Sequence, residues 1–130
     1  MPLPPYAQLL GLSVAPGDDP TLIVMPFGEA IVGRPGFLHG GAIGGLLEMA
    51  AIVALWKALD EEGDDQPRAR IKPINVTIDY MRGGRDKPTY GRATVTRLGK
   101  RVANVEALAW QDDPTRPISA ARMNYLIARE

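Results

Sequence analysis

The sequence predicts an α+β domain in which an antiparallel β-sheet wraps around one long central α-helix. Three observations carry this expectation. Between Arg34 and Lys57 the chain runs PGFLHGGAIGGLLEMAAIVALW, where Glu48 alone bears a full charge at neutral pH. A helix that is apolar all round is one enclosed on all sides. Downstream, four extended segments are separated by Gly83-Gly84, Gly99-Lys100 and Asp112-Asp113-Pro114, residue types that close hairpins and loops. Finally, 130 residues without an internal repeat make a single domain, 1–130. In a chain of that size, so apolar a helix needs a sheet around it.

Taken in order, Pro4 to Leu10 suits a short helix ending at Gly11. Leu12 to Ala15 and Thr21 to Phe27 read as strands, parted by the turn Pro16-Gly17-Asp18-Asp19-Pro20. Gly33, Pro35 and Gly36 form a loop that delivers the chain to His39, and the helix runs from about Gly40 to Asp60. The acidic stretch that follows, through Pro67, is a surface connection. Arg70 to Met81 alternates, with Ile71, Ile74, Val76, Ile78 and Tyr80 mostly on one side and Asn75, Thr77 and Asp79 on the other. Thr89 to Leu98, Arg101 to Gln111 and Ile118 to Ala128 complete a meander.

Composition removes several classes of chemistry. Fifteen basic and fifteen acidic residues cancel, which gives no global case for nucleic acid or an anionic membrane. With no cysteine there is no disulfide, thiolate nucleophile or cysteine-ligated metal, and one histidine makes poor material for a metal site. The N-terminus lacks the pattern of a signal peptide. The apolar run from Ala42 to Trp56 is short for a bilayer and contains Glu48. The expectation is a soluble cytoplasmic protein without metal or cofactor. Charge is nevertheless segregated. From Arg82 to Arg101 there are seven basic residues against one acid, Asp86, either a solvated face or an anion site.

The chemistry-bearing residues cluster at the helix. Gly41, Gly44, Gly45, Glu48 and Ala51 fall on one stripe at helical spacing, which predicts a smooth groove with a carboxylate set into it. Each glycine costs a helix about 1 kcal/mol relative to alanine, so close approach of another backbone, a substrate or a second subunit is expected there. Desolvation penalises a charged group, and a carboxylate among apolar neighbours is a functional candidate. Gly40 and Gly41 open the helix, where N–H groups lack intrahelical acceptors and can hold an oxyanion. His39 is either structural or part of the site. The two serines, Ser13 and Ser119, are not in a G-x-S-x-G setting, and no phosphate-binding loop or dinucleotide fingerprint is present. A carboxylate base or nucleophile with backbone donors remains, which suits acyl transfer to water.

The segment Gly36-Phe37-Leu38-His39-Gly40-Gly41 with Glu48, and the strand Thr77-Ile78-Asp79-Tyr80-Met81-Arg82, resemble the hotdog-fold acyl-CoA thioesterases of the phenylacetate-degradation type. The likeness spans roughly Leu9 to Ala128. It implies a five- or six-stranded antiparallel sheet around the helix, and homodimers, often homotetramers, with sites at the subunit interface. It implies that Glu48 is the catalytic carboxylate and that the Gly40 N–H is the donor to the thioester oxygen, beside His39 and Gly41. Gly36 matches the loop glycine before the motif. Arg82, Gly83 and Gly84 fall where the coenzyme A arm is met, and coenzyme A is substrate here, not cofactor. Two positions depart from the family. Gly33 stands in place of an Asn, and Pro73 in place of a Ser or Thr, for which Asn75 and Thr77 are candidate substitutes. The resulting expectation is acyl-CoA hydrolysis. Its competitors are a non-catalytic acyl-CoA-binding or regulatory module and, third, acyl-CoA hydration or dehydration.

Overall fold

The computed structural model describes residues 3–62 and 70–128. Residues 63–67 of the acidic connection lie outside them. Helix α1 (Pro5–Leu9) carries a proline in its first turn and exits through Gly11, whose φ of +72° favours glycine. Strands β1 (Ser13–Val14) and β2 (Ile23–Met25) are shorter than the alternation suggests. Between them Asp19 folds the chain back, accepting from the Thr21 N–H at 2.9 Å and its hydroxyl at 2.6 Å. Those two bonds hold its carboxyl below the usual range.

Where the sequence suggested only a loop before His39, the chain makes a 3-10 turn (Glu29–Ile31) and a small hairpin, β3 (Val32–Arg34) with β4 (Phe37–Leu38). Pro35-Gly36 turns it, with Gly36 at φ +80°, the pairing of residues that a type II turn requires. The rest follows closely: α2 (Gly40–Asp60), β5 (Arg70–Tyr80), β6 (Thr89–Leu98), β7 (Val102–Trp110) and β8 (Ser119–Ala128).

Six strands form one antiparallel sheet in the order β1-β2-β6-β7-β8-β5. This is the expected hotdog arrangement. The helix-facing side of the sheet is built from small residues, including Gly91, Ala103, Ala107, Ala109 and Ala121. That lets α2 sit close. A Cβ at Gly91 would lie 3.0 Å from the Leu46 side chain. Leu46, Leu47 and Leu55 are fully buried, and truncating any one to alanine is on the scale of 2–5 kcal/mol.

Helix α2 lies across β6 and β7, meets β8 less, and leaves β5 almost uncovered. Val76 stands on the helix side of β5, opposite Met123, and is still 50% exposed. The expectation of a helix enclosed on all sides is therefore not met within one chain. By length and composition α2 would also suffice as a membrane span, with 21 residues and a mean hydropathy of 1.7, which corrects the length argument made from Ala42 to Trp56. Its packing on the sheet accounts for its apolarity.

Candidate active site

The start of α2 is built by the β3–β4 hairpin. His39 is extended (φ −68°, ψ 134°) and serves as the N-cap, its ring Nδ1 accepting the Gly41 N–H at 2.8 Å. An accepting Nδ1 is unprotonated, so in the neutral ring the proton sits on Nε2. A helix leaves four N–H groups without intrahelical acceptors. Here three of them are satisfied. His39 N–H donates to Ile31 O at 2.7 Å, Gly41 N–H to the His39 ring, and Ala42 N–H to His39 O at 3.0 Å. Of these four, only the Gly40 N–H has no acceptor among the described residues. The first turn thus offers one open donor, at the positive end of a 21-residue helix.

Tyr80 ties the end of β5 to this turn. Its hydroxyl donates to Gly40 O at 2.9 Å, and its ring lies over Gly40, where a Cβ would come within 3.4 Å of Cε1. The peptide linking Gly40 and Gly41 is therefore pinned at both ends, its oxygen by Tyr80 and its N–H by His39. Sequence reading saw Tyr80 only as part of a strand. The contact crosses forty residues, and no local signal announces it.

The glycine stripe divides in two. Gly45 and Ala51 turn inward, and Gly45 is covered by Tyr6 and Leu10 of the N-terminal segment. Gly41, Gly44 and Glu48 stay at the accessible side, Glu48 half-buried. Among the described residues nothing donates a hydrogen bond to its carboxylate. The enclosure inferred from sequence is not produced by one chain. Across the helix, Tyr125 on β8 is 1% exposed. Burial, and secondarily the charge of Glu48, push its phenol above the usual tyrosine range.

Gly33 has a steric reason. It bulges out of β3, and a Cβ there would lie 3.0 Å from the His39 Cα, which is backbone and cannot swing away. Asn75 and Thr77 are not brought to Glu48. Register slips at Ile74, so Asn75 pairs with Asn124 and Thr77 with Arg122 on the sheet face away from the helix. There Asn75 accepts from Asn124 at 2.7 Å, and Asn104 donates to Asn124, forming a three-strand ladder. Gly83 and Gly84 are explained by packing. A Cβ at Gly83 would meet the Phe37 ring at 2.8 Å, and one at Gly84 the Leu38 side chain at 2.9 Å. Arg82 is exposed at the rim of a cleft of about 330 Å³ shared with Gly83, Arg85 and Arg116.

Residues 35–118, the span that holds this turn, Glu48 and Arg82, match the sequence model of the thioesterase superfamily. The chain belongs to that superfamily. Its membership points to thioester hydrolysis as the class of reaction. Among solved structures, a Chromobacterium violaceum protein is 33% identical, with a TM-score of 0.72 over 95% of this chain and 83% of that one. A phenylacetic acid degradation-related protein from Ralstonia eutropha is 21% identical, with a TM-score of 0.79 over 97% of this chain and 92% of that one. A Bacillus halodurans protein solved with coenzyme A is 17% identical, with a TM-score of 0.74 over 93% and 74%. The latter two are likenesses of fold. No curated protein matches the chain. Within this thioesterase-superfamily protein, Gly40 and Glu48 share the accessible side of α2, whereas Asn75 and Thr77 do not.

Proposed function

We propose that this protein hydrolyses acyl-CoA thioesters. The Gly40 N–H stabilises the oxyanion, and Glu48 acts as base on water or as nucleophile. The observation that carries the reading is the single open donor at the start of α2. Every other N–H of the first turn is satisfied, so a carbonyl oxygen has one place to go. Glu48 lies eight residues further on, about 12 Å along the axis at 1.5 Å per residue. A reacting carbonyl needs its donor about 3 Å away and its base close by, so one chain does not supply both to the same thioester.

A second copy supplies the missing partner. Strand β5 is an edge, with Ile74 55%, Val76 50% and Tyr80 53% exposed, and the face beside it is the side of α2 that carries Gly44 and Glu48. A two-fold pairing would cover this surface and set the start of one helix beside the middle of the other. Glu48 would then acquire the desolvation that a single chain does not give it.

The test is turnover of short, medium, long and aromatic acyl-CoAs, read by thiol release, in wild type and two variants. Glu48→Gln should lower kcat at least about a hundredfold while keeping the fold. Gly40→Pro deletes the open N–H at the first helical position, where proline is tolerated, and the extended backbone of His39 is what a residue preceding proline adopts. Each parent should be nearly inactive, and a mixed dimer should regain one whole site. Folded heterodimers as inactive as their parents would overturn the shared site. Coenzyme A binding without turnover of any thioester would favour the binding module, which the Gly33 departure suggests.

A further inference from the structure

The basic stretch has a partner that charge counting along the chain does not show. The Cζ of Arg34 lies 4.1 Å from the Phe37 ring centroid, and that of Arg85 4.3 Å. Two planar guanidinium groups so near one centroid cannot share a face, so they bracket the ring. The ring edge rests on Gly83, where a Cβ would come within 2.8 Å. Arg34 and Phe37 are partners across the Pro35-Gly36 turn, which sets the first half of the stack.

The second half is held rigidly. Gln111 accepts from Arg85 N–H at 2.9 Å and donates to Arg85 O at 3.0 Å and Lys87 O at 3.3 Å. Leu38 N–H donates to Gly84 O at 2.9 Å, locking β4 to the same loop. Counter-charge is missing. Among the described residues no carboxylate lies in ion-pair range of Arg34, Arg82 or Arg85, whereas neighbouring Lys87 is paired with Asp112 at 2.8 Å. Like charges held together on a fixed frame favour an anion that completes them. A guanidinium laid on a ring keeps its N–H edge free, and that edge is what grips phosphate in bidentate fashion.

We propose that Arg34, Phe37 and Arg85 form a two-sided receptor for the phosphorylated nucleotide end of the acyl carrier. The two forks stand on opposite faces of one ring, so one phosphate cannot take both. The ligand is therefore a carrier with separate phosphate groups, as coenzyme A has, in preference to a protein-bound phosphopantetheine with one. This rests on the acyl-CoA reading and says which residues hold the far end.

The experiment is calorimetric titration with coenzyme A, dephospho-coenzyme A (which lacks the 3′-phosphate) and adenosine 3′,5′-bisphosphate. It compares wild type with Arg34→Gln, Arg85→Gln and the double variant, each checked for an unchanged melting temperature. Wild type should bind coenzyme A more tightly than dephospho-coenzyme A. One single variant should lose that preference, and the double variant should bind coenzyme A at least about tenfold more weakly. Its affinity should also depend less steeply on salt. Coenzyme A affinity within twofold of wild type in the double variant would overturn the receptor, as would a wild type that binds neither coenzyme A nor the bisphosphate. Turnover of an N-acetylcysteamine thioester, which has no phosphate, reports separately on hydrolysis. The receptor can therefore fail while the thioesterase reading stands.

Discussion

His39→Ala removes the acceptor that holds the Gly41 N–H at 2.8 Å, and the helix then opens with two free donors instead of one. Deleting an N-cap side chain costs about 1 kcal/mol, and water can reach this exposed ring position and offset any larger penalty. With an unfolding entropy of about 2.1 cal/mol/K per residue, a chain of 130 residues has roughly 0.27 kcal/mol/K at its midpoint. The expected fall in Tm is therefore about 4 °C, measured at fixed protein concentration because any association shifts Tm. His39→Asn keeps an oxygen acceptor at the same place and should stay within about 1 °C of wild type. The same pair separates a cap from a catalyst. If the ring only shapes the turn, His39→Asn retains most thioester turnover. If it moves protons, turnover falls by 10²–10⁴ in both variants, the usual scale for general acid–base catalysis. Equal loss of Tm in His39→Ala and His39→Asn would refute the capping role. A well-folded but inactive His39→Asn would refute the claim that the cap is all the ring provides.

Gly33→Asn, which restores the residue the related family carries, should destabilise by about 1–3 kcal/mol, because its Cβ would stand 3.0 Å from the His39 backbone; an unchanged melt would refute the steric account. Tyr80→Phe should leave Tm within about 2 °C, since water replaces a half-exposed hydroxyl, yet lower kcat by roughly tenfold with KM little changed, as the Gly40–Gly41 peptide loses one of its two anchors. Tyr125→Phe should flatten the alkaline loss of stability. Below pH about 10 both states keep the phenol proton; above it the unfolded chain releases the proton while the buried phenol holds it, so stability falls by up to 1.36 kcal/mol per pH unit in wild type. Urea melts from pH 8 to 11 check this, and parallel curves for wild type and variant would contradict it.

Much of the fold was legible because its signals are local. The limits of α2 are written in the His-Gly-Gly start and the uninterrupted apolar run, and β6 begins and ends where the turn residues place it. Glycines at the first turn, a lone carboxylate eight residues on, and the basic stretch after β5 were visible as residue types at a spacing. Helical geometry and hairpin chemistry act over a few residues, so a linear reading reaches them.

Tertiary structure decided the rest. Alternation sets Asn75 and Thr77 opposite Val76 and Ile78, but pairing with β8, with its one-residue bulge at Ile74, decides that theirs is the face away from the helix and shifts it relative to Arg70–Pro73. The Gly40 N–H is singled out only because Ile31, the His39 ring and the His39 carbonyl take the other donors. Arg34 and Arg85 meet on Phe37 across fifty residues of chain because β4 and the loop after β5 are joined by one backbone hydrogen bond. The apolar sequence neighbours of Glu48 suggest that it is enclosed. It is half-exposed because one sheet covers one side of a helix, and neighbours in sequence do not decide what lies across it in space.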